Sequence, residues 1–346
     1  MEKDNTVFYR KYRPRTFDEI RGQENIVRVL KNAVSQKRLA HAYLFSGPRG
    51  TGKTTIARIL AREAGCATED IIEIDAASSR GIDEARALRE AVRVLPLLSP
   101  YKVYIIDEVH MLTKESFNAL LKTLEEPPPH AIFILATTDL QKVPDTIVSR
   151  TQNFEFHKIS APNIIKELLY IASKEKFSAD EDALRVIAFF ADGSLRDAEN
   201  ILFQVLTIDD KKVTEKNVRL LLGAPEEESV NKITQFALAK NPQPMLKIFD
   251  EILVSGTDPV LLTKLILRNF RAIYFLTIDP TASILKKEFS DDEIAFFKSC
   301  ISDATPAAFL EFAVREVLES FKFKSDDFTA AIPLELALIK IAAVLE

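Results

Sequence analysis

The sequence predicts an α/β domain with a parallel sheet, followed by an all-helical region. In the first half of the chain, short apolar segments typical of buried strands alternate with amphipathic segments typical of helices. From about Ser160 onward only the helical periodicity remains. Uninterrupted apolar strands that alternate with helices indicate a parallel sheet with helices on both faces.

The first half of the chain is expected to alternate regularly between strands and helices. An amphipathic helix opens at residues 22–24, and the helix over 114–125 ends before a run of three prolines, which cannot continue a helix. In parallel sheets, binding sites form at the carboxyl ends of the strands, so the residues after each strand are the candidates. The expected strands are 42–45, 71–75, 103–108, 131–136 and 154–156, and the other expected helices are 55–61, 81–95 and 144–150.

The second half is expected to contain helices alone. One helix covers residues 162–173, and Ser178-Ala179-Asp180-Glu181 fits a capping box that would open the next. A third opens at residues 193–196, and residues 222–225 are interpreted as a domain boundary. The terminal segment 332–345 is apolar on nearly all sides, so we expect it to be buried in a bundle or a subunit interface.

Composition excludes several classes of protein. With 346 residues, 47% hydrophobic and 28% charged, the chain has ordinary globular composition and enough length for two or three domains. No apolar run approaches the ~20 residues of a membrane span, and the polar N-terminus lacks a signal-peptide core, so a cytoplasmic location is expected. The net charge of −5 argues against nonspecific coating of nucleic acid. Only two cysteines are present, which does not support a disulfide or zinc framework.

The strongest motif is a glycine-rich loop between the first expected strand and the helix after it. Residues 47–54 read Gly-Pro-Arg-Gly-Thr-Gly-Lys-Thr, which fits the phosphate-binding pattern G-x-x-x-x-G-K-[ST] without a mismatch. Glycines let consecutive backbone N–H groups turn toward a polyphosphate, and the helix N-terminus adds its positive dipole end. Lys53 would reach the β- and γ-phosphates, and the Thr54 hydroxyl would ligate Mg²⁺. The loop predicts a nucleoside triphosphate site, and a plain glycine-rich turn is the weaker interpretation.

Polar residues also follow two other expected strands. Asp107 and Glu108 end an apolar strand, where Asp107 would hold Mg²⁺, directly or through water, and Glu108 would polarise the attacking water. Thr137 ends the next strand, where its hydroxyl could sense the γ-phosphate. The alternatives are a solvated acidic turn for the carboxylates and an ordinary Thr-Thr turn for Thr137.

The motifs, taken in order, resemble one family: the ATPase subunits of sliding-clamp loaders, in particular the bacterial DNA polymerase III gamma/tau subunits. The resemblance covers residues 9–200, and the C-terminal third matches mainly in being helical and of similar length. The matching motifs are Lys11-Tyr12-Arg13-Pro14-Arg15-Thr16-Phe17, Gly22-Gln23-Glu24, Gly47–Thr54, Asp75-Ala76-Ala77-Ser78, Ile106–Leu112, Ala119–Pro128, Ala136-Thr137-Thr138-Asp139, Val148-Ser149-Arg150 and Gly193–Ala198.

The resemblance implies an AAA+ fold with ATP and Mg²⁺ as ligands. Its parts would be a nucleotide-binding domain over residues 1–158, a helical lid over 159–223 and a helical collar over 224–346. The residues implied in nucleotide binding are Tyr12, Arg13, Pro14, Gly47, Pro48, Arg49, Gly50, Thr51, Gly52, Lys53, Thr54, Thr55 and Arg196. The residues implied in catalysis are Lys53, Asp107, Glu108, Thr137, Arg150 and Arg196.

The two implied arginines have different roles. Arg196 would open a lid helix and reach the γ-phosphate of its own subunit. Arg150 would be an arginine finger donated to the ATP of the neighbouring subunit. An arginine supplied in trans couples hydrolysis to assembly, because charge in the transition state is not compensated until the ring is in register. A surface salt bridge is the alternative interpretation of Arg150.

The implied function is to open a sliding clamp and load it onto primed DNA during replication, with ATP binding and hydrolysis as the drive. The implied partners are the clamp, delta- and delta′-like subunits, copies of this chain in a five-membered partial ring, and primed-template DNA, with no membrane. A solvated helix face explains the DNA-binding candidates equally well. They are Arg86, Arg89, Arg93, Lys114 and Lys122.

The sequence departs from the family pattern in two places. The family usually carries a four-cysteine zinc module after the P-loop helix, whereas residues 64–70 contain only Cys66, so no zinc is expected. The family's Ser-Arg-Cys is Ser-Arg-Thr here, with Thr151 in the third position. Another AAA+ DNA-remodelling ATPase, such as a branch-migration helicase or a helicase loader, is the main alternative. A small-molecule P-loop kinase and a scaffold with an inactive site are weaker ones.

Overall fold

The predicted parallel sheet is confirmed. The computed structural model describes residues 7–78, 90–208, 211–302, 305–323 and 329–343. Neighbouring strands all run parallel, in the order β2–β3–β4–β1–β5. The register pairs Ser46 with Thr137 and Asp75 with Asp107, so the carboxyl ends of the strands meet at one edge. The strands are β1 (Ala42–Ser46), β2 (Ile71–Asp75), β3 (Lys102–Asp107), β4 (Ala131–Thr137) and β5 (Gln152–Glu155).

Helices cover both faces of this sheet, as the continuous apolar strands predict. Side chains alternate between faces along a strand, so Tyr43 and Phe45 lie in one core while Leu44 lies in the other. The central strand β4 is buried along its whole length. The helices that begin in this part of the chain are α1 (Phe8–Lys11), α2 (Glu24–Ser35), α3 (Lys53–Glu63), α4 (Lys114–Glu125) and α5 (Asp145–Val148).

Local sequence explains where two of these helices begin. The helix α3 starts immediately after Gly52, whose φ of +100° lies in the left-handed region that favours glycine. The helix α4 starts after Thr113, whose side chain accepts a hydrogen bond from the backbone N–H of Ser116 and so caps the first turn.

The second half of the chain is mainly helical. The chain divides into two compact units, one of Met1–Ile171 with Ala188–Phe203 and one of Ala172–Ile187 with Gln204–Glu346. In the second unit, the terminal helix buries Leu334, Leu338 and Ile341 but exposes Ile332 and Leu336, so the expected burial of this segment is seen on one face only. The helices are α6 (Ala161–Glu175), α7 (Glu181–Ala191), α8 (Leu195–Val205), α9 (Glu215–Leu221), α10 (Glu227–Leu238), α11 (Pro242–Val254), α12 (Pro259–Ile278), α13 (Asp291–Ser299), α14 (Ala307–Ser320) and α15 (Ile332–Ala343).

The prediction of helices alone after Ser160 is wrong in one place. The short strands β6 (Ser178–Ala179) and β7 (Lys212–Val213) pair in parallel. Ser178 therefore does not cap a helix: its N–H and hydroxyl both donate to the carbonyl of Lys211, and α7 begins only at Glu181. The pairing of β6 with β7, which lies more than 30 residues away in the sequence, therefore determines the conformation of Ser178 in place of the local capping pattern. A capping box does occur at Ser290, which caps α13 together with Glu293.

Two other sequence predictions are only partly covered by the structure. Of the helix expected over 81–95, residues 79–89 lie outside the described residues, residues 90–92 are helical, and the helix does not continue to residue 95. The helices α9 and α10 are separate at residues 222–225, where Arg219 donates to the carbonyl of Pro225 at 3.1 Å, and the domain boundary interpreted there stays a prediction. The domain limits implied by the resemblance stay a prediction. None of the described helices has the length and apolarity that a membrane crossing needs.

Candidate functional site

The glycine-rich loop adopts a conformation that its glycines make possible. Gly47 has φ of +135°, and a Cβ there would lie 2.2 Å from the carbonyl oxygen of Phe156. At Gly50, with φ of +72°, a Cβ would lie 1.8 Å from the hydroxyl oxygen of Ser194. Any larger residue would collide at both positions. At Gly52 there is open space beside the backbone, at the N-terminus of α3 where N–H groups have no intrahelical partner.

Lys53 is the first residue of α3, and its side chain folds back over the loop. It is 6% exposed. Its Nζ donates to the carbonyl oxygens of Gly47 and Pro48, at 2.7 and 2.8 Å. Burial lowers the pKa of this ammonium group, and the nearby carboxylates of Glu108 and Asp107 oppose that effect. The result is a cation in a desolvated position above a loop suited to phosphates.

Thr54 and Asp107 meet beside this lysine. The Thr54 hydroxyl donates to Oδ2 of Asp107 at 2.7 Å, and Oδ1 of Asp107 accepts from the backbone N–H of Glu108 at 3.0 Å. The pair thus places a hydroxyl and a carboxylate at the edge where β3 ends. Oxygen ligands of this kind suit Mg²⁺, which is bound by few protein groups together with substrate phosphates.

Glu108 is held in a strained backbone conformation that directs its carboxylate. Its φ and ψ are 48° and 45°, in the left-handed region that a residue with a side chain seldom adopts. Its Oε2 accepts a hydrogen bond from the Thr138 hydroxyl at 3.0 Å and lies 3.4 Å from Nδ1 of His110. The described residues Lys37, Lys176, Asp192, Lys240 and Ala282 also have positive φ, so it is the contacts with Thr138 and His110, rather than the backbone conformation alone, that distinguish Glu108.

The two threonines after β4 have different environments. Thr137 is fully buried, and its hydroxyl lies 3.0 Å from Nδ1 of His110 and accepts from the N–H of Asp139. The Thr138 hydroxyl instead bonds to Glu108. Sequence reasoning chose Thr137, while the structure places the hydroxyl of Thr138 on the candidate catalytic carboxylate. No sequence pattern separated the two, because the choice depends on which way each side chain turns at the strand end.

A cavity of about 160 Å³ connects the glycine-rich loop, Asp107 and Glu108 with α8 and with the N-terminal arm, which is the segment over residues 8–23. All of its lining residues belong to the first compact unit. Among the residues proposed from sequence, it brings together Arg13, Pro14, Arg49, Gly50, Thr51, Gly52, Lys53, Thr54, Thr55, Asp107, Glu108 and Arg196. Its other lining residues, which sequence reasoning missed, are Tyr9, Glu19, Ile20, Arg21, Glu167, Leu195 and Glu199.

Tyr9 lines the cavity, and the part that the resemblance implies for Tyr12 in nucleotide binding stays a prediction. The guanidinium carbon of Arg196 lies 4.7 Å from the centre of the Tyr9 ring, a cation–π contact that orients the arginine. Tyr12 is not a lining residue. It packs edge-on against Phe8 and Tyr170, at centroid distances of 5.9 and 6.2 Å.

Gln23 explains the motif that precedes α2. It is buried, and its Nε2 donates to the carbonyl of His157 at 2.8 Å while its Oε1 accepts from the N–H of the same residue at 3.4 Å. The amide of Gln23 therefore bonds to both backbone polar groups of His157. These two bonds hold the N-terminal arm against the segment after β5. Gly22, with φ of +75°, lies against Ile159, which a Cβ would approach to 2.9 Å.

Arg150 does not line the cavity of its own chain. It follows α5, and its guanidinium forms an ion pair with Glu125 at 2.9 Å and donates to the carbonyl of Thr146 at 2.9 Å. Its side chain is 37% exposed, so it is available at the surface. Arg196 thus lines the cavity and Arg150 does not. The resemblance likewise implies different roles for the two arginines.

The DNA-binding candidates are partly described. Arg86 and Arg89 lie outside the described residues. Arg93, Lys114 and Lys122 are exposed, and the guanidinium of Arg93 lies 3.8 Å from the carboxylate of Glu90. Their contact with DNA stays a prediction.

Both cysteines are free thiols. Cys66 is buried and Cys300 is half-buried. Burial raises the pKa of each thiol to about 11. The expectation that the chain binds no zinc stays a prediction.

The fold and the site define a P-loop, nucleotide-binding protein of the AAA+ class. The chain is similar in structure to the RuvB Holliday junction branch migration motor of Thermotoga maritima. The TM-score is 0.52 and the sequences are 24% identical, with 64% of this chain and 78% of that chain covered. At this identity the similarity shows the fold alone.

Sequence comparisons identify the family. Residues 22–80 and 68–160 match the family described as DNA polymerase III, delta subunit, and residues 163–208 match the DNA polymerase III clamp loader subunit, ATPase lid domain. The DNA polymerase III subunit gamma of Buchnera aphidicola subsp. Acyrthosiphon pisum is 41% identical over 273 residues, which are 73% of this chain and 76% of that protein. The chain belongs to the family of DNA polymerase III gamma/tau subunits.

Two tau subunits are also similar. That of Bacillus subtilis is 40% identical over 308 residues, and that of Escherichia coli is 37% identical over 297 residues. These alignments cover 83% and 80% of this chain. The chain spans about half the length of the tau relatives, 55% and 46%.

Proposed function

We propose that this chain is the ATPase subunit of a clamp loader, which uses ATP binding and hydrolysis to open a sliding clamp and load it onto primed DNA. Family membership supports the assignment to a clamp loader. The observation that carries the ATPase activity is the cluster of Lys53, Thr54, Asp107 and Glu108 in one cavity, with the Thr54 hydroxyl 2.7 Å from Asp107.

Each group in the cluster has a chemical task that fits its environment. Lys53 neutralises the β- and γ-phosphates from its desolvated position above the loop. The oxygens of Thr54 and Asp107 would hold Mg²⁺, which supplies charge neutralisation at the phosphates when bound. Glu108 orients the attacking water, and its carboxylate is itself positioned by Thr138.

The proposed partners follow from the family. We propose that copies of this chain join delta- and delta′-like subunits in a five-membered partial ring in the cytoplasm, and that the ring acts on the clamp and on primed-template DNA. The exposed cations Arg93, Lys114 and Lys122 are suited to a phosphate backbone, which requires positive charge rather than base recognition.

The ATP hydrolysis rate of the reconstituted complex tests this function. We expect clamp and primed DNA together to stimulate hydrolysis above the rate of the complex alone, because loading is the step to which hydrolysis is coupled. The same complex with Lys53→Ala is the control and should show no hydrolysis under either condition. If the wild-type rate is unchanged by clamp and primed DNA, the proposal is wrong.

The alternative of a branch-migration helicase or a helicase loader is not favoured, since it shares only the AAA+ fold with this chain. The similarity to RuvB is one of fold, whereas the gamma/tau relatives are 37–41% identical over most of the chain. Processive strand displacement by this chain alone would favour the alternative.

Replacement of the two threonines after β4 tests which hydroxyl acts on Glu108. We expect Thr138→Val to lower the rate of ATP hydrolysis by ~10-fold. A hydrogen bond to a charged group contributes about 1.5 kcal/mol, and its loss from the transition state would slow the reaction by this factor. The expected cause is a less well oriented carboxylate, so the affinity for ATP should change little. Thr137→Val is the matched control, and it should act mainly on stability, because Thr137 is buried. Thermal melting and single-turnover rates separate the two effects, and the reverse pattern would support Thr137 as the sensor.

A further inference from the structure

One carboxyl group in the nucleotide cavity has no polar partner among the residues that the structure describes. Glu199 lies on α8, is 8% exposed, and lines the same cavity as Lys53 and Arg196. Its surroundings contribute burial and the charge of Glu167, but no hydrogen bond. The carboxyl oxygens are not enclosed by protein, so they remain accessible from the cavity, where a ligand can supply the hydrogen bonds that the protein does not.

The helix α8 places this carboxyl at a defined distance from the phosphate loop. Its first residue is fastened to the loop, because the N–H of Leu195 donates to the carbonyl of Gly50 at 3.1 Å. Arg196 lies in the first turn, and Glu199 lies three residues later on the same face of the helix. With a rise of about 1.5 Å per residue, Glu199 is about 4.5 Å further along the helix than Arg196. Glu199 is therefore at the part of the cavity beyond the phosphate groups.

The same cavity has apolar walls that suit a flat aromatic ring. Pro14, Ile20 and Leu195 are among its lining residues. Glu167, the other buried acid there, has a partner, since its Oε2 lies 3.3 Å from Nε of Arg21. This leaves Glu199 as the acid with unused hydrogen-bonding capacity among the described lining residues.

We propose that the carboxyl group of Glu199 reads the base of the bound nucleotide and favours adenine over guanine. The inference rests on the proposed function, because it assigns a specificity determinant to the same nucleotide site. Glu199 would contact the base and leave phosphate binding to the loop.

The protonation state of Glu199 accounts for the preference. Burial, and then the charge of Glu167, raises the pKa of Glu199 to about 8, so the group is mainly neutral at pH 7. A neutral carboxyl has one donor and one acceptor. The edge of adenine that carries N6 and N7 offers one donor and one acceptor, whereas the same edge of guanine offers two acceptors. The neutral acid therefore matches adenine with two hydrogen bonds and guanine with one.

If Glu199 binds the base, the affinity for ATP should depend on pH and should fall as the pH rises. As the pH rises through about 8, Glu199 loses its proton and with it the donor to the ring nitrogen. Affinity for ATP should then fall, relative to a ligand that has no base. The other charged or titratable groups that line the cavity are Tyr9, Arg13, Glu19, Arg21, Arg49, Lys53, Asp107, Glu108, Glu167 and Arg196. They remain in all the Glu199 variants, so a difference between those variants belongs to Glu199.

Binding of ATP, GTP and inorganic triphosphate to the full chain, measured by calorimetry below and above pH 8, tests the proposal. We expect the wild type to prefer ATP over GTP by ~10-fold or more, the discrimination that a bidentate contact to a base provides. Glu199→Leu should remove this preference and leave triphosphate affinity intact. Glu199→Gln should keep the preference, because an amide also has a donor and an acceptor, but its ATP affinity should no longer fall above pH 8 relative to triphosphate.

Two controls make each outcome decisive. Gln204→Leu places the same side chain on an exposed position of α8 and should keep both the preference and the pH profile. Lys53→Ala should lose all three ligands, and retention of ATP binding by that variant would instead overturn the proposed function.

If Glu199→Leu keeps the wild-type preference and pH profile, Glu199 is only a buried acid of α8. If Glu199→Leu does not fold, the pH profile of Glu199→Gln decides, and a fall like that of the wild type would refute the proposal.

Discussion

Glu108→Gln is expected to bind ATP with nearly wild-type affinity and to hydrolyse it ~10²- to 10⁴-fold more slowly, the range that general base catalysis contributes. The glutamine has almost the same shape as Glu108 and can still accept a hydrogen bond from Thr138. It cannot take a proton from water, so only the chemical step should suffer. A single-turnover measurement, with ATP binding followed separately, gives both quantities.

The matched control for this variant is Lys53→Ala. Lys53 lies over the loop carbonyls of Gly47 and Pro48, and its removal takes away the cation that faces the phosphates. That variant should therefore lose ATP binding itself. If Glu108→Gln hydrolyses ATP at the wild-type rate, another group must activate the water. If it fails to bind ATP, Glu108 contributes to binding rather than to the reaction.

The framework of the site could be predicted from the sequence because it depends on chain order and on backbone geometry. The loop at 47–54 needs glycines at Gly47 and Gly50, where a Cβ would collide with Phe156 and Ser194. The parallel sheet then brings Asp107 and Thr137 to the edge where Ser46 lies, as the register requires. A motif records such requirements directly, since no other residue type can satisfy them.

The finer contacts could not be predicted, because they depend on how side chains turn and on contacts distant in sequence. Tyr9 rather than Tyr12 lines the cavity, although both belong to the N-terminal arm. Thr138 rather than Thr137 bonds to Glu108. Glu199 was not recognised because its proposed role depends on its burial on α8, and a single glutamate in a helix usually indicates a solvated face.

The geometry around Arg150 makes its proposed action in trans testable with mixtures of variants. Within one chain Arg150 pairs with Glu125 and does not line the cavity that holds Lys53. We expect Arg150→Ala to bind ATP normally and to lose ~10³- to 10⁵-fold in stimulated hydrolysis, the effect typical of an arginine finger. Arg315→Ala, which removes an exposed arginine that pairs with Glu311 on α14, should leave hydrolysis unchanged.

Mixing Arg150→Ala with Lys53→Ala distinguishes an arginine that acts in trans from one that acts in cis. The first variant has an intact nucleotide site but no finger, and the second has a finger but no working site. Neither should hydrolyse ATP alone. In a mixed ring, a Lys53→Ala subunit can supply its Arg150 to the intact site of an Arg150→Ala neighbour, so part of the activity should return. An arginine that acts in cis would give no recovery in rings whose mixed composition is verified by mass, and that result would refute the proposal. Recovery would also mean that hydrolysis requires assembly, because each ATP would then need residues from two subunits.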